Sequence, residues 1–148
     1  MKIILGNDHA GFALKKAILE FLKEQRIAVD DAGSYSDEPV DYPDIGYPVA
    51  KSVADGRYDY GILLCGSGIG MSVVANKVPG IRAALCMTPE QGELSKTHNN
   101  ANIIVLAARL IDEQTAIEIV RRWLNSNFEG GRHSRRIQKI HTMMKLYQ

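Results

Sequence analysis

Tyr58-Asp59-Tyr60-Gly61-Ile62-Leu63-Leu64-Cys65-Gly66-Ser67-Gly68-Ile69-Gly70 decides the fold. An apolar run of strand length ends in alternating glycines. A helical stretch follows at once, through residues 71–77, and stops at Pro79-Gly80. A continuously apolar strand that feeds directly into a helix is the unit of a parallel sheet covered on both faces.

The same unit recurs outward in both directions. Upstream, residues 2–5 form an apolar run closed by Gly6, and residues 27–29 form a second short one. Between them, Phe12, Leu14, Ala17, Ile18, Phe21 and Leu22 recur at helical spacing, with lysines and glutamates on the other face. A polar stretch over 30–44 leads into a helix over 43–54, with Pro43 or Pro48 near its start. Downstream, residues 81–86 and 103–107 read as the fourth and fifth strands. Thr88 caps a helix that opens at Pro89, with Gln91 completing a capping box, and Asp112 caps another through Leu124. Gly130-Gly131 breaks the chain before a last amphipathic helix over about 131–146. These elements predict one domain over residues 1–148: a doubly wound, Rossmann-like α/β/α sandwich on a five-stranded parallel sheet.

Composition bounds what such a domain does. Of 148 residues, 45% are hydrophobic and 24% charged, and the net charge is +1, so neither a nucleic-acid nor a membrane surface is indicated. No apolar run has the length of a membrane span, and the N-terminus has no signal-peptide pattern. Two cysteines, both in or beside apolar runs, fit a reduced, cytoplasmic protein rather than a disulfide framework.

Ligands of doubly wound sheets sit beyond the strand carboxyl ends, where the winding reverses. With the common order 2-1-3-4-5, the reversal falls between the first and third strands. The loops there are Asn7-Asp8-His9-Ala10-Gly11 and Cys65-Gly66-Ser67-Gly68-Ile69-Gly70. The alternating glycines let backbone N–H groups converge at a helix start, which makes either an anion cradle or a plain tight strand-to-helix turn. The spacing is not GxGxxG, there is no GxxxxGK, and position 65 is not glycine, so dinucleotide, P-loop and nucleophile-elbow motifs are excluded. Cys65 at the cradle mouth is a thiolate candidate, whereas Cys86 reads as a buried, inert thiol. Asp8-His9 is either a helix cap or a polar contact. His98, in Lys96-Thr97-His98-Asn99-Asn100, has the pKa range of an acid–base group. Arg132 and Arg136 share a helix face and could fork onto a phosphate. His9, His98, His133 and His141 show no HxH or HxxxH spacing, so no metal is expected.

Taken together, Gly6-Asn7-Asp8-His9-Ala10-Gly11, Asp41-Tyr42-Pro43, the 65–70 loop, Ala75-Asn76-Lys77-Val78-Pro79-Gly80-Ile81-Arg82, His98-Asn99-Asn100-Ala101-Asn102, Arg109 and Glu129-Gly130-Gly131-Arg132-His133 resemble the type B ribose-5-phosphate isomerases and their hexose-phosphate relatives, over almost the full length. The resemblance implies interconversion of ribose 5-phosphate and ribulose 5-phosphate through an enediolate, without metal or cofactor. It implies Cys65 as the base between C1 and C2, with Gly66, Gly68, Ile69, Gly70 and Ser67 around the enediolate oxygens. It implies His98 and Asp8 as the ring-opening pair, His9, Arg109, Arg132 and Arg136 as phosphate ligands, and Tyr42 and Asn99 as substrate contacts. It further implies active sites shared across a homodimer, with a tetramer left open and the last helix packing on the partner. Met71 and Cys65 place the chain with the thiol-bearing branch of that family. A six-carbon substrate (allose 6-phosphate or galactose 6-phosphate) and a non-catalytic phosphate-binding domain are the alternatives.

Overall fold

The computed structural model describes residues 1–146. In chain order it runs β1 (Lys2–Asn7), a 3-10 turn (His9–Gly11), α1 (Phe12–Glu24), β2 (Ala28–Asp31), α2 (Tyr42–Ala54), β3 (Tyr60–Cys65), α3 (Ile69–Asn76), β4 (Ala83–Cys86), α4 (Pro89–Thr97), β5 (Ile103–Ala107), α5 (Glu113–Asn125) and α6 (Arg132–Leu146). No helix among the described residues is long and apolar enough to cross a membrane.

All strand pairings are parallel, in the order β2-β1-β3-β5-β4. The common order 2-1-3-4-5 is therefore corrected at its far edge. Burial explains the exchange. Every residue of β5 is fully buried, as an interior strand requires, whereas β4 is four residues long and only Cys86 in it is buried. The winding still reverses between β1 and β3.

Alternate residues of the central strands feed two cores. Ile3, Leu5, Ile62, Leu64, Ile104 and Leu106 pack under α1 and α5, around the fully buried Trp123. Ile4, Leu63, Cys65, Ile103 and Val105 pack under α2 and α3 with Val49, Met71 and Ala75. A strand buried on both sides cannot alternate polar and apolar residues, which is why these runs are continuous. The helix α4 lies against α5 so closely that a Cβ on Gly92 would stand 2.7 Å from the Ile119 carbonyl oxygen.

The helix ends follow their local chemistry. Thr88 Oγ1 accepts from the Gln91 N–H, and Gln91 Oε1 accepts in return from the N–H of Met87, one residue outside the usual capping-box partner. Asp112 Oδ1 accepts from the Thr115 N–H at 2.7 Å. In α2, Pro43 sits in the first turn as expected, but Pro48 lies inside the helix. A proline there removes the bond to the carbonyl four residues back, that of Asp44, which is exposed and can be hydrated instead. The helix α6 projects from the sandwich with Ile140 and Met143 exposed. Between it, α4 and the edge strand β4 runs an apolar groove of about 640 Å³, floored by Leu85, Leu94, Ile137, Ile140 and Met144.

Candidate active site

At the switch point a cavity of about 340 Å³ is lined by Asp8, Tyr42, Cys65, Gly66, Ser67, Gly70, Arg109 and Leu110. Three carboxyl-terminal strand ends build it. Sheet register places Asn7 beside Leu64 and Cys65 beside Ala107. Backbone bonds then carry the register into the loops. Asp8 N–H donates to the Leu64 carbonyl at 3.0 Å, Ala108 N–H to that of Cys65 at 2.9 Å, and Arg109 N–H to that of Gly66 at 3.0 Å.

Cys65 closes β3 with 4% of its surface exposed, and that surface is in the cavity. Gly68 adopts φ 75°, a left-handed conformation that turns the loop into α3, and a Cβ there would stand 2.3 Å from Leu85 Cδ1. The Tyr42 ring covers Gly70, where a Cβ would stand 2.8 Å from Tyr42 Cζ. The Arg109 side chain lies over Gly66 in the same way. Ser67 Oγ accepts from the Ile69 N–H at 3.3 Å. Asp8 is buried and its Oδ1 accepts from the Gly11 N–H at 3.2 Å, so it caps the 3-10 turn as well as facing the cavity. His9 Nδ1 accepts from the Val40 N–H at 3.3 Å, which leaves Nε2 as the free edge of the ring. Cys86 borders the apolar groove beside β4 with 1% of its surface exposed, and burial pushes its thiol up to about 11, against a smaller opposing effect of the Ser95 hydroxyl. It is the buried thiol the sequence indicated.

His98, Asn99, Arg132 and Arg136 do not line this cavity. They belong to a second cluster, at the end of α4 and the start of α6. The rings of His98 and His133 stack with centroids 4.3 Å apart and planes 9° apart. Glu129 Oε2 lies 3.9 Å from His98 Nε2 and 3.6 Å from His133 Nε2. Burial holds the His133 imidazole below the ordinary histidine range; the charges of His98, Arg132 and Arg136 act in the same direction and Glu129 opposes them. Arg82 Nε donates to the Asn99 and Asn100 carbonyls at 3.0 Å, and its Nη2 donates to Asn100 at 2.8 Å, fixing the loop that carries His98.

Sequence spacing missed this convergence, because His98 lies far along the chain from Glu129 and His133. Among the described residues, His98, Glu129 and His133 are the one group of possible metal ligands whose donor atoms converge, all within 4.8 Å.

The two clusters together hold a thiol, a carboxylate, imidazoles, guanidinium groups and a glycine loop. That set suits proton transfer beside an anionic ligand. The match to known proteins is extensive. The family model described as Ribose/Galactose Isomerase matches residues 3–140. Ribose-5-phosphate isomerase B of Escherichia coli is 44% identical over 139 residues, covering 94% of this chain and 93% of that protein. The solved ribose-5-phosphate isomerase B of Clostridium thermocellum superposes with a TM-score of 0.98 at 47% identity, covering 100% of both chains. That of Mycoplasma genitalium, solved with bound ribulose-5-phosphate, superposes at 0.92 with 43% identity, covering 97% of this chain and 96% of the other.

Proposed function

The chain belongs to the ribose/galactose isomerase family, and from that premise we propose that it is an aldose–ketose isomerase interconverting D-ribose 5-phosphate and D-ribulose 5-phosphate. The observation that carries this reading is Cys65 in a cavity lined also by Gly66, Ser67 and Gly70 of the glycine loop. A sugar α-proton is weakly acidic. Removing it needs a base at close range and fixed dipoles where the enediolate charge develops.

Asp8 and His98 open the furanose by exchanging protons with its hydroxyl and ring oxygen. The Cys65 thiolate takes the C2 proton of the open aldose and returns it to C1, the O2 hydroxyl proton passes to O1, and the loop with Ser67 holds the enediolate oxygens. His9, Arg109, Arg132 and Arg136 hold the phosphate, and Tyr42 and Asn99 hold the carbon chain. Grip on the remote phosphate orients the reacting carbons.

This assignment requires two copies. Cys65 and Asp8 line one cavity while His98, Asn99, Arg132 and Arg136 form the other cluster, so a homodimer in which each completes the other's site is the arrangement we favour. The apolar groove along α6 and the exposed Ile140 and Met143 supply the surface such a partner would cover. Two free, buried thiols suit a reducing cytoplasm.

The test is turnover of ribose 5-phosphate beside allose 6-phosphate, with chelator present, for wild type and Cys65→Ala. Turnover of the pentose that collapses by about a hundredfold or more in the mutant, with sugar-phosphate binding retained, is expected. Preference for the hexose changes the substrate and keeps the mechanism. Near-normal turnover in the mutant removes Cys65 as the base.

A further inference from the structure

Glu129 belongs to the 129–133 motif, but the mechanism above gives it no task. Its carboxylate faces the Nε2 edges of two stacked imidazoles, 3.9 Å from His98 and 3.6 Å from His133. The two rings differ in their surroundings. His133 is 5% exposed, and its Nε2 has no hydrogen-bond partner although it is buried. The His98 side chain is 36% exposed and the Glu129 side chain 55%. Only Glu129 among these three carries negative charge. The other charges around the stack, on Arg132 and Arg136, are positive.

We propose that Glu129 is a positioning residue for His98, holding the His98–His133 stack in place and balancing the charge of His98 whenever ring opening leaves it protonated. This rests on the isomerase reading above. The buried His133 ring is a platform that fixes the plane of His98, and burial keeps that platform neutral. The carboxylate stands 3.6 Å from the unpartnered His133 nitrogen and within ion-pair range of His98. Without the carboxylate, an imidazolium at position 98 would form against two guanidinium groups with nothing to offset them.

The chemistry of ring closure supplies a selective test. Ribose 5-phosphate closes to a furanose through its free O4. D-erythrose 4-phosphate carries phosphate on O4, so closure would need a four-membered ring, and its aldehyde is never locked in a furanose. Its isomerisation needs Cys65 and the cradle but not the ring-opening histidine.

Rates of wild type, Glu129→Gln and Glu129→Asp are measured on both substrates, with folding checked by circular dichroism. We expect Glu129→Gln to lower kcat/KM for ribose 5-phosphate by about tenfold or more and to leave D-erythrose 4-phosphate nearly unchanged. Glu129→Asp recovers part of the loss. An unchanged rate on ribose 5-phosphate overturns the proposal. So does an equal loss on both substrates, which marks a purely structural residue. If wild type does not use the four-carbon sugar, the aspartate rescue on ribose 5-phosphate decides. Wild type inactive on both sugars overturns the isomerase reading, and this inference with it.

Discussion

The N–H of Asp8 donates to the carbonyl oxygen of Leu64 at 3.0 Å, which fixes a carboxylate one residue away from the thiol of Cys65 across two neighbouring strands. A Cβ on Gly11 would stand 2.7 Å from Leu64 Cβ, so the same close approach is why the loop carries glycine there. The Asp8 carboxylate and the Cys65 thiol are therefore placed by sheet register rather than by flexible loops.

The two thiols should react differently. Cys65 opens to the cavity, while Cys86 is 1% exposed and its thiol is pushed up to about 11. Iodoacetamide at about pH 8 should modify Cys65, abolish turnover in step and spare Cys86 until the chain is unfolded. Ribose 5-phosphate should slow the reaction. Peptide mass mapping checks the assignment, and labelling of Cys86 with turnover intact would contradict it.

Gly68 and Gly80 share left-handed backbones, with φ of 75° and 85°. A Cβ on Gly68 would stand 2.3 Å from Leu85 Cδ1, whereas one on Gly80 meets nothing within 4 Å. Gly80→Ala should cost about 1–2 kcal/mol in urea unfolding and keep turnover. Gly68→Ala should cost more than that and lose most turnover, because the cradle itself must move. Equal effects in the two variants would argue against a fixed loop.

Arg132→Ala and Arg136→Ala should each raise KM for ribose 5-phosphate by about tenfold or more, the size of a lost charge-assisted hydrogen bond, with a smaller change in kcat. Inorganic phosphate should weaken in parallel as a competitive inhibitor. Unchanged KM in both variants would remove these arginines from the phosphate site.

His133 gives the fold an acid sensitivity. Burial holds its imidazole below the ordinary histidine range, so the unfolded chain takes up this proton more readily than the native one. Its contribution to stability is full above about pH 6.5, where the unfolded imidazole is also neutral, and is lost as pH falls toward the lower native value. The urea midpoint should decline with acid over that window in wild type, and His133→Gln should flatten the decline. A parallel decline in the variant would assign the effect to other groups.

Much of this architecture is legible in the residues themselves. The run 103–107 is β5 to the residue, Thr88 and Asp112 cap the helices they precede, and the polar ends of β1 and β3 meet where a doubly wound sheet binds ligands. Local chemistry decides each of these. Strand order was harder, because whether β4 or β5 takes the edge depends on competition for burial between two apolar segments, and each alone reads the same. Pro48 inside α2 is tolerated by the exposure of Asp44, which no local rule gives. The His98–Glu129–His133 cluster escaped for a related reason: Glu129 and His133 are local neighbours, but their meeting with His98 is tertiary.

Division of the chemistry into a thiol-bearing cavity and a separate histidine cluster has a genetic consequence. If each active centre draws one part from either chain, two different null alleles need not be null together. A subunit lacking Cys65 still offers a sound His98, and a subunit lacking His98 still offers a sound Cys65. Their hybrid dimer would hold one centre with both lesions and one with neither. Two inactive mutants, refolded or co-expressed together, should therefore restore activity that neither shows alone.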